Sequence, residues 1–262
     1  MTYSYFPGCT LKTRGKDLDT WGRASMEALG IHLEELPQWQ CCGAVYPLAK
    51  DEIGSRLSAV RALAAARDLG TPLVTLCSAC HHVIKRTNYD IRHDALFQDR
   101  ANNYMAPDTA YQGEAQVLHY LEVLRDHVGF DTLAKKVVKP LTGRKIGAYY
   151  GCLLLRPSKA MAFDDPENPT ILEDFIQAIG AQPVFYAQRN ECCGGYVTLE
   201  DPSLSQARAG AVLHNAAAQG ADTLITACPL CLYNLQKNGG KLPVVYFTEL
   251  LAEALGLKEV PV

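Results

Sequence analysis

The ten cysteines of this chain constrain it most, because they fall into two sets of five with nearly the same spacing. Each set has a leading cysteine, an adjacent Cys-Cys pair and a closing Cys-x-x-Cys. In the first set 31 residues separate the leading cysteine from the pair and in the second 39, but 34 separate the pair from the closing motif in both. This coincidence indicates an internal repeat. The sets are Cys9, Cys41, Cys42, Cys77 and Cys80, and Cys152, Cys192, Cys193, Cys228 and Cys231.

The segments between the cysteines repeat in the same order. A strand-like run precedes each leading cysteine, a helical pattern ending at glycine follows, and a second strand-like run leads into each Cys-Cys pair. A long alanine-rich helix and a short buried strand then precede each Cys-x-x-Cys. The helical patterns cover residues 18–29, 53–70, 170–179 and 202–220, and the short strands are PLVTL (72–76) and DTLITA (222–227).

Alternating strands and helices predict parallel sheets with crossover connections, an α/β fold. We expect two similar, pseudo-symmetric Rossmann-like lobes, each a small and mostly parallel sheet with flanking helices, at 1–130 and 144–262. Residues 131–143 contain a proline and a glycine between periodic segments, which indicates a connector. Residues 98–113 are polar and aperiodic, which predicts a loop, and 156–169 form an insertion of the second half.

Composition limits the class of protein. With 262 residues and 48% hydrophobic content the chain can bury a full core, and a net charge of -3 with interspersed signs disfavours nucleic acid as a partner. The N-terminus has no apolar signal core, and no run approaches the roughly 18 apolar residues of a membrane-spanning helix. We therefore expect a cytoplasmic protein. In that compartment ten cysteines favour metal binding or redox chemistry over disulfides.

The predicted strands place every cysteine near a carboxyl end, where open parallel sheets keep their ligand sites. Adjacent side chains such as Cys41 and Cys42 diverge and suit two different metal atoms better than one. Gly43, Gly194 and Gly195 would let the backbone bend beside the pairs, and Pro229 suits the first position of a helix.

Thiolate ligands select zinc, copper(I) or iron-sulfur clusters. Tetrahedral zinc and an ordinary cubane cluster each need four ligands, so five per half indicate a larger or irregular cluster, with zinc or an ordinary cluster in one half as the alternative. A thioredoxin-like dithiol does not explain the distant Cys-Cys partners.

The doubled motif with YFPGC, WQCCGA and ECCGG resembles the cysteine-rich CCG-domain family, and within it most resembles the B subunit of heterodisulfide reductase, over nearly the whole chain. The resemblance implies two noncubane 4Fe-4S clusters, each held by five cysteines, and reductive cleavage of a disulfide between them. It implies two partners, an iron-sulfur C subunit that delivers electrons and a flavin-containing A subunit, in anaerobic metabolism.

The cysteine count also bears on the branch of the family. CCG proteins of lactate and glycolate oxidation often lack part of a cysteine set, whereas both sets are complete here, which favours catalysis over electron relay. The substrate, the coenzyme M-coenzyme B heterodisulfide or a related disulfide, is not specified by any motif. The sequence has no GxGxxG or phosphate loop, so we expect no flavin or nucleotide in this chain.

Several other side chains lie near the predicted ligands. His81 and His82 follow Cys80 and are candidates for proton donation to a leaving thiolate or hydrogen bonding to cluster sulfide, although packed or solvated positions on a first helical turn are the more common outcome. Cations near the cysteines would offset thiolate charge or bind an anionic substrate, unless they are solvated surface charges. These cations are Lys12, Arg14, Arg156, Lys159 and Arg189.

Three functions therefore fit the sequence. The first is the disulfide-reducing subunit of a heterodisulfide-reductase-type complex. The second is an iron-sulfur electron-relay subunit of a larger dehydrogenase or quinone-linked complex, and the third is a zinc-stabilised scaffold.

Overall fold

Two parallel four-stranded sheets with flanking helices form this protein, as a computed structural model describes it for residues 1–44, 51–106, 110–238 and 240–258. The strand orders are β2-β1-β3-β4 and β6-β5-β7-β8, so the second sheet repeats the topology of the first. All six strand pairs are parallel. The prediction of a pseudo-symmetric, two-lobed α/β fold is confirmed.

The first sheet and its helices occupy the N-terminal half. In chain order they are β1 (Thr2–Phe6), α1 (Cys9–Lys12), α2 (Lys16–Ala28), β2 (His32–Glu35), α3 (Leu57–Leu69), β3 (Leu73–Thr75), α4 (Ser78–His93), α5 (Ala95–Met105), β4 (Val117–His119), α6 (Tyr120–Val123) and α7 (Phe130–Lys136).

The second half repeats the order of strands and most helices, but the described residues form one helix, not two, between its third and fourth strands. Its elements are β5 (Lys145–Tyr149), α8 (Ser158–Met161), α9 (Ile171–Ala178), β6 (Gln182–Val184), α10 (Pro202–Ala218), β7 (Thr223–Thr226), α11 (Pro229–Asn238), β8 (Val244–Tyr246) and α12 (Phe247–Ala254).

The alanine-rich helices are built as their sequences predict. Small side chains of α3, including Ala59, Ala62 and Ala66, are fully buried and let the helix approach the sheet closely. In α10, the Asp201 side chain accepts a hydrogen bond from the Leu204 amide at 2.9 Å and Pro202 occupies the first turn, so the N-terminus is capped by local sequence.

The two lobes share helices across their boundary. Helix α12 of the second half packs on α2 of the first, and α7 of the first half packs on α9 of the second. Phe247, at the start of α12, is completely buried and lies against Tyr120 and Phe175, with ring centroids 5.4 and 5.8 Å away. The hydrophobic core is therefore continuous between the lobes.

The structure differs from the sequence-based expectation in one segment. The sequence predicts a loop over residues 98–113, but helix α5 extends to Met105, and only the part that follows is irregular among the residues described. The sequence lacks strong periodicity there because only Phe97 and Ala101 of this helix are buried. The first half of the expected connector 131–143 belongs to α7.

Candidate metal centre

Every cysteine lies beyond the carboxyl end of a strand. Cys9, Cys77, Cys152 and Cys228 follow β1, β3, β5 and β7 within three residues, and the two Cys-Cys pairs lie in the loops after β2 and β6. Because parallel strands end at the same edge, this topology brings each set of five together. Cys77 is the N-cap of α4, and Pro229 is the first residue of α11, as predicted.

The adjacent cysteines turn to different partners. The Cys41 sulfur lies 3.7 Å from that of Cys9, whereas the Cys42 sulfur lies 3.3 Å from that of Cys80. In the second half Cys192 is hydrogen-bonded to Cys152, and the Cys193 sulfur lies 3.6 Å from that of Cys231. The two adjacent cysteines of each lobe thus contact different distant cysteines, and in the first lobe Cys41 and Cys42 also contact each other.

Several buried sulfurs contact two others, since Cys77 is hydrogen-bonded to both Cys80 and Cys228, and Cys231 to both Cys193 and Cys228. Among the residues described, no three Cys, His, Asp or Glu side chains lie close enough to hold one metal ion. The exposed members are Cys9, Cys41 and Cys192, Cys152 is half-buried, and the other six thiols are buried.

In two contacts between thiols, one thiol has a lowered pKa and the other has a raised pKa. A hydrogen bond with Cys42 lowers the pKa of Cys41 to about 7, while the pKa of Cys42 rises to about 12. A hydrogen bond with Cys152 lowers the pKa of Cys192 to about 6, and the pKa of Cys152 is raised. Each lobe thus offers a thiolate near neutral pH, the form that binds metals.

The two cysteine sets touch at the lobe boundary. The thiols of Cys77 and Cys228 are hydrogen-bonded to each other, and this contact lowers the pKa of Cys77 well below its usual value. The Ser78 hydroxyl donates to the carbonyl of Ala227 at 2.6 Å. The buried Tyr246 hydroxyl lies 2.8 Å from the carbonyl of Leu76 and 2.9 Å from that of Ala227, the residues that precede the two cysteines. One tyrosine therefore fixes both strand ends.

Glycines allow the chain to approach the sulfurs. Gly8 has φ 76° and ψ 164°, and a Cβ placed there would lie 2.7 Å from the Cys80 sulfur. Gly43 has φ 77°, and a Cβ would lie 2.3 Å from the carbonyl oxygen of Ser55. Gly8 therefore leaves space for the Cys80 sulfur, and Gly43 lets the chain after Cys42 pass close to the backbone of Ser55.

Both candidate histidines are packed in the interior. His81 is fully buried on the first turn of α4, where Nδ1 lies 3.0 Å from the Thr75 hydroxyl. His82 Nδ1 lies 3.0 Å from the carbonyl of Leu153, directly after Cys152 of the other lobe. Burial lowers the pKa of each histidine, so both imidazoles are neutral at pH 7.

The five candidate cations have different surroundings. Lys12 pairs with Glu35 at 2.6 Å, and Arg156 donates to the Asn190 carbonyl and to Glu167, both at 3.1 Å. Arg189 is held in a buried ion pair with Glu173. Lys159 borders a cavity with Lys85. Arg14 lines a cavity between the lobes and, within the described ranges, forms no salt bridge.

This interlobe cavity was not predicted from the sequence. It has a volume of about 340 Å³ and mainly apolar walls, and it lies between the start of α2 and the first two turns of α11. Its lining includes direct chain neighbours of ligand-candidate cysteines in both lobes, Thr10 after Cys9 and Pro229 after Cys228. The only indication in the sequence is that some lining residues adjoin the cysteine motifs. That indication locates a cavity only when it is known which helices meet.

A second feature missed by the sequence is a buried polar group behind α4. His119 is fully buried, and its Nδ1 accepts from the Leu121 amide at 3.2 Å. The buried Glu122 carboxylate pairs with Lys85 at 3.0 Å and accepts from the His119 amide at 2.6 Å. The His119 ring lies 5.3 Å from that of His81. Single polar residues within apolar runs give no indication of this arrangement.

Comparison with known proteins adds relatives of similar length. The membrane anchor subunit of 8-methylmenaquinol:fumarate reductase from Wolinella succinogenes is 32% identical to this chain. The alignment covers 97% of this chain and 92% of that subunit. A protein of Archaeoglobus profundus, described as similar to the B subunit of heterodisulfide reductase, is 27% identical over 97% of this chain and 90% of its own. The B subunit of the ferredoxin/F420H2-dependent CoB-CoM heterodisulfide reductase of Methanosarcina acetivorans is 26% identical over 97% and 89%.

A solved structure shares the fold. A hypothetical protein from Helicobacter pylori superposes with a TM-score of 0.74 over 98% of this chain, at 13% identity, and this chain spans about half (49%) of that one. In the part of the chain that the structure describes, no helix combines the length and the apolar character needed to cross a bilayer.

The family follows from sequence and fold together. The model of the cysteine-rich domain, CCG, matches residues 3–85 and 146–236, which contain all ten cysteines. The chain therefore belongs to the cysteine-rich CCG domain family, as a member whose relatives include B subunits of heterodisulfide reductases.

Proposed function

We propose that this chain is the catalytic, disulfide-reducing subunit of a heterodisulfide-reductase-type complex, with one noncubane 4Fe-4S cluster on each set of five cysteines. The observation that carries the proposal is the hydrogen bond of 2.6 Å from the Ser78 hydroxyl to the Ala227 carbonyl, because these residues adjoin Cys77 and Cys228 and make the two five-thiol sites neighbours. When bound, the clusters would supply the two electrons that convert a disulfide and two protons into two thiols. The substrate is the coenzyme M-coenzyme B heterodisulfide or a related disulfide.

The donor set fits this cofactor. Each lobe gathers only sulfur ligands, in pairs that join distant parts of the chain, such as Cys41 with Cys9 and Cys42 with Cys80. All-thiolate ligation suits an iron-sulfur core, and each lobe has a thiol with a lowered pKa, Cys41 in the first and Cys192 in the second. Gly8 leaves room for the backbone at the Cys80 sulfur.

The chain's own side chains would hold and insulate the site. Tyr246 and Ser78 fix the strand ends before Cys77 and Cys228, and His82 ties α4 to the loop after Cys152. Since burial keeps His81 and His82 neutral, we assign them positioning roles, and the protons would come from solvent or substrate. Partners in this proposal are an iron-sulfur C subunit and a flavin-containing A subunit, in the cytoplasm.

The first test is the metal content of the anaerobically purified chain. Two 4Fe-4S clusters predict about eight iron atoms and eight acid-labile sulfides per chain. Cys41→Ser and Cys192→Ser should each lower the count toward about four, since each removes a thiolate from one set only. The control is Ser58→Ala, which should keep the full count. The Ser58 hydroxyl donates to the Cys41 carbonyl at 2.7 Å, so this change lies beside the site but removes no thiolate. One zinc per half and no iron would contradict the proposal.

The second test is turnover. The iron-loaded chain should cleave a disulfide with reduced viologen as donor, consuming two electrons per disulfide. Full iron content without any disulfide turnover would reject the catalytic assignment. It would not contradict the assignment of the two clusters.

A second candidate function is supported by the 32% identity to a component of 8-methylmenaquinol:fumarate reductase. In this candidate the chain transfers electrons within a quinone-linked complex and cleaves no disulfide. It predicts that a quinone, and not a disulfide, reoxidises the dithionite-reduced chain. The visible absorption of the clusters measures this reoxidation.

A further inference from the structure

The internal repeat makes it possible to compare the two sides of the lobe boundary position by position. On one side the residue after Cys152, Leu153, meets the residue two positions after Cys80, His82, through a hydrogen bond of 3.0 Å. This side is closed. His82 is 6% exposed, and α4 packs against α8 there.

The corresponding residues on the other side are Thr10, after Cys9, and Tyr233, two positions after Cys231. Both line the interlobe cavity of about 340 Å³. Tyr233 is 51% exposed. The same two structural positions that close one side therefore leave the other side open.

The cavity walls have a distinct chemistry. The interior is formed by Leu18 from the first lobe and by Pro229, Leu230 and Leu232 from the second. Three lining side chains have hydrogen atoms to donate, the Arg14 guanidinium, the Tyr233 hydroxyl and the Thr10 hydroxyl, which lies 4.0 Å from the Cys9 sulfur. Gln236 is already used, because its amide donates to the carbonyl of Val244 at 2.9 Å.

We infer that this cavity binds the ring of a quinone. A flat apolar ring fills the leucine and proline walls, and its carbonyl oxygens accept hydrogen bonds from Arg14 and Tyr233. The volume is within the range of about 300–1,000 Å³ found for small-ligand sites, which are mostly apolar with a few polar groups. Through Thr10 and Pro229 the ring lies one residue from a candidate cluster ligand of each lobe.

The inference deepens the second candidate function by naming its substrate site, and it rests on that candidate for its biological meaning. Binding itself is independent of it, since the cavity lies within this chain.

The test is equilibrium dialysis of 2,3-dimethyl-1,4-naphthoquinone against the anaerobic, oxidised, iron-loaded chain. This quinone has no unsubstituted quinoid ring carbon that could add to a thiol. We expect saturable binding of one quinone per chain. Leu232→Trp fills the cavity and should weaken binding by more than tenfold, whereas Leu69→Trp, on a side chain that is 51% exposed at the end of α3, should bind as the wild type does.

Two rim variants keep the test valid if Leu232→Trp folds poorly. Arg14→Gln and Tyr233→Phe change exposed residues, and each should weaken binding by about three- to tenfold through loss of one hydrogen bond. Absence of saturable binding, or wild-type affinity in all three cavity variants, would overturn the inference. Weakening by Leu232→Trp alone would overturn the assigned carbonyl contacts.

The iron count of the same preparation separates this result from the proposed function. About eight iron atoms without quinone binding reject the quinone site alone. Quinone binding by a chain that takes up no iron rejects the clusters and keeps the site.

Discussion

At the residue scale, the fit between backbone and sulfur is tightest at Gly8. Its backbone conformation, φ 76° and ψ 164°, belongs to a region that only glycine adopts readily, and its missing side chain leaves the space that the Cys80 sulfur uses. The sequence predicts this kind of role for Gly43, Gly194 and Gly195, because they adjoin the Cys-Cys pairs. It does not identify Gly8, since the contact to Cys80 joins residues 72 positions apart.

Gly8→Ala should therefore affect one cluster site specifically. We expect a loss of roughly 1–3 kcal/mol in the free energy of unfolding from backbone strain, and an iron content lowered toward half because the Cβ displaces the Cys80 sulfur. The control is Gly30→Ala, where φ is 82° and a Cβ would meet nothing within 4 Å. It should lose stability but keep all its iron. Equal iron loss in both variants would show that strain alone is responsible.

His119 makes stability depend on pH. Burial lowers the pKa of its imidazole to about 3, so below pH 6.5 the unfolded chain binds a proton that the folded chain does not. Stability is therefore lost as pH falls, by up to about 2 kcal/mol between pH 6.5 and 5 from this residue. Lys85, Glu122 and His81 surround it.

His119→Gln should remove this contribution, because the amide oxygen can still accept from the Leu121 amide but takes up no proton. The measurement is urea unfolding at pH 7 and pH 5, with exposed His32→Gln as the control that keeps the wild-type difference. If the His119→Gln difference between the two pH values equals that of the wild type, the assignment is wrong.

At the element scale, much of the fold could be predicted because the repeat supplies two independent sequences for each element. The order of strands and helices, the parallel sheets and the strand-end cysteines all follow from periodicity and spacing. Helix α5 could not be predicted, because it buries only Phe97 and Ala101 and so lacks an apolar stripe. The interlobe cavity could not be predicted either. His82 and Tyr233 occupy equivalent positions in the two halves, but His82 closes its side of the boundary and Tyr233 leaves its side open, which depends on packing between the halves.

The ends of strands β3 and β7 are joined through the Tyr246 hydroxyl. Tyr246→Phe removes this fully buried group and leaves two carbonyls with fewer donors, so we expect a loss of about 1–3 kcal/mol in the free energy of unfolding. Tyr233→Phe, which removes a hydroxyl from a half-exposed side chain, should change stability by less than about 0.5 kcal/mol. Urea unfolding followed by circular dichroism checks both, and equal effects would contradict the bridging role.

At the scale of the whole molecule, we expect the lobes to unfold as one cooperative unit because α12 packs on α2 and α7 on α9. The sequence suggested a simple connector at 131–143, but the helix in that segment contributes to the boundary. Both tryptophans, Trp21 and Trp39, lie in the first half. Their fluorescence therefore reports the unfolding of the first lobe separately from that of the whole chain.

Phe247→Ala, in the second half, should destabilise the chain by about 3–5 kcal/mol because it opens a cavity among buried rings. The tryptophan fluorescence of the first half should shift to lower urea together with the far-UV circular dichroism of the whole chain. The 56% exposed Phe185→Ala is the matched control and should change neither. An unshifted tryptophan transition would mean that the lobes unfold independently.

The reciprocal exchange of helices also bears on how such a chain could have arisen. A polypeptide with a single lobe would leave the outer face of its first long helix uncovered, and a second copy of itself would offer the matching partner. Fusing two such copies would convert a symmetric dimer into a monomer and free the halves to diverge. The closed contact at His82 and the open one at Tyr233 are the kind of asymmetry that only a fused pair can acquire.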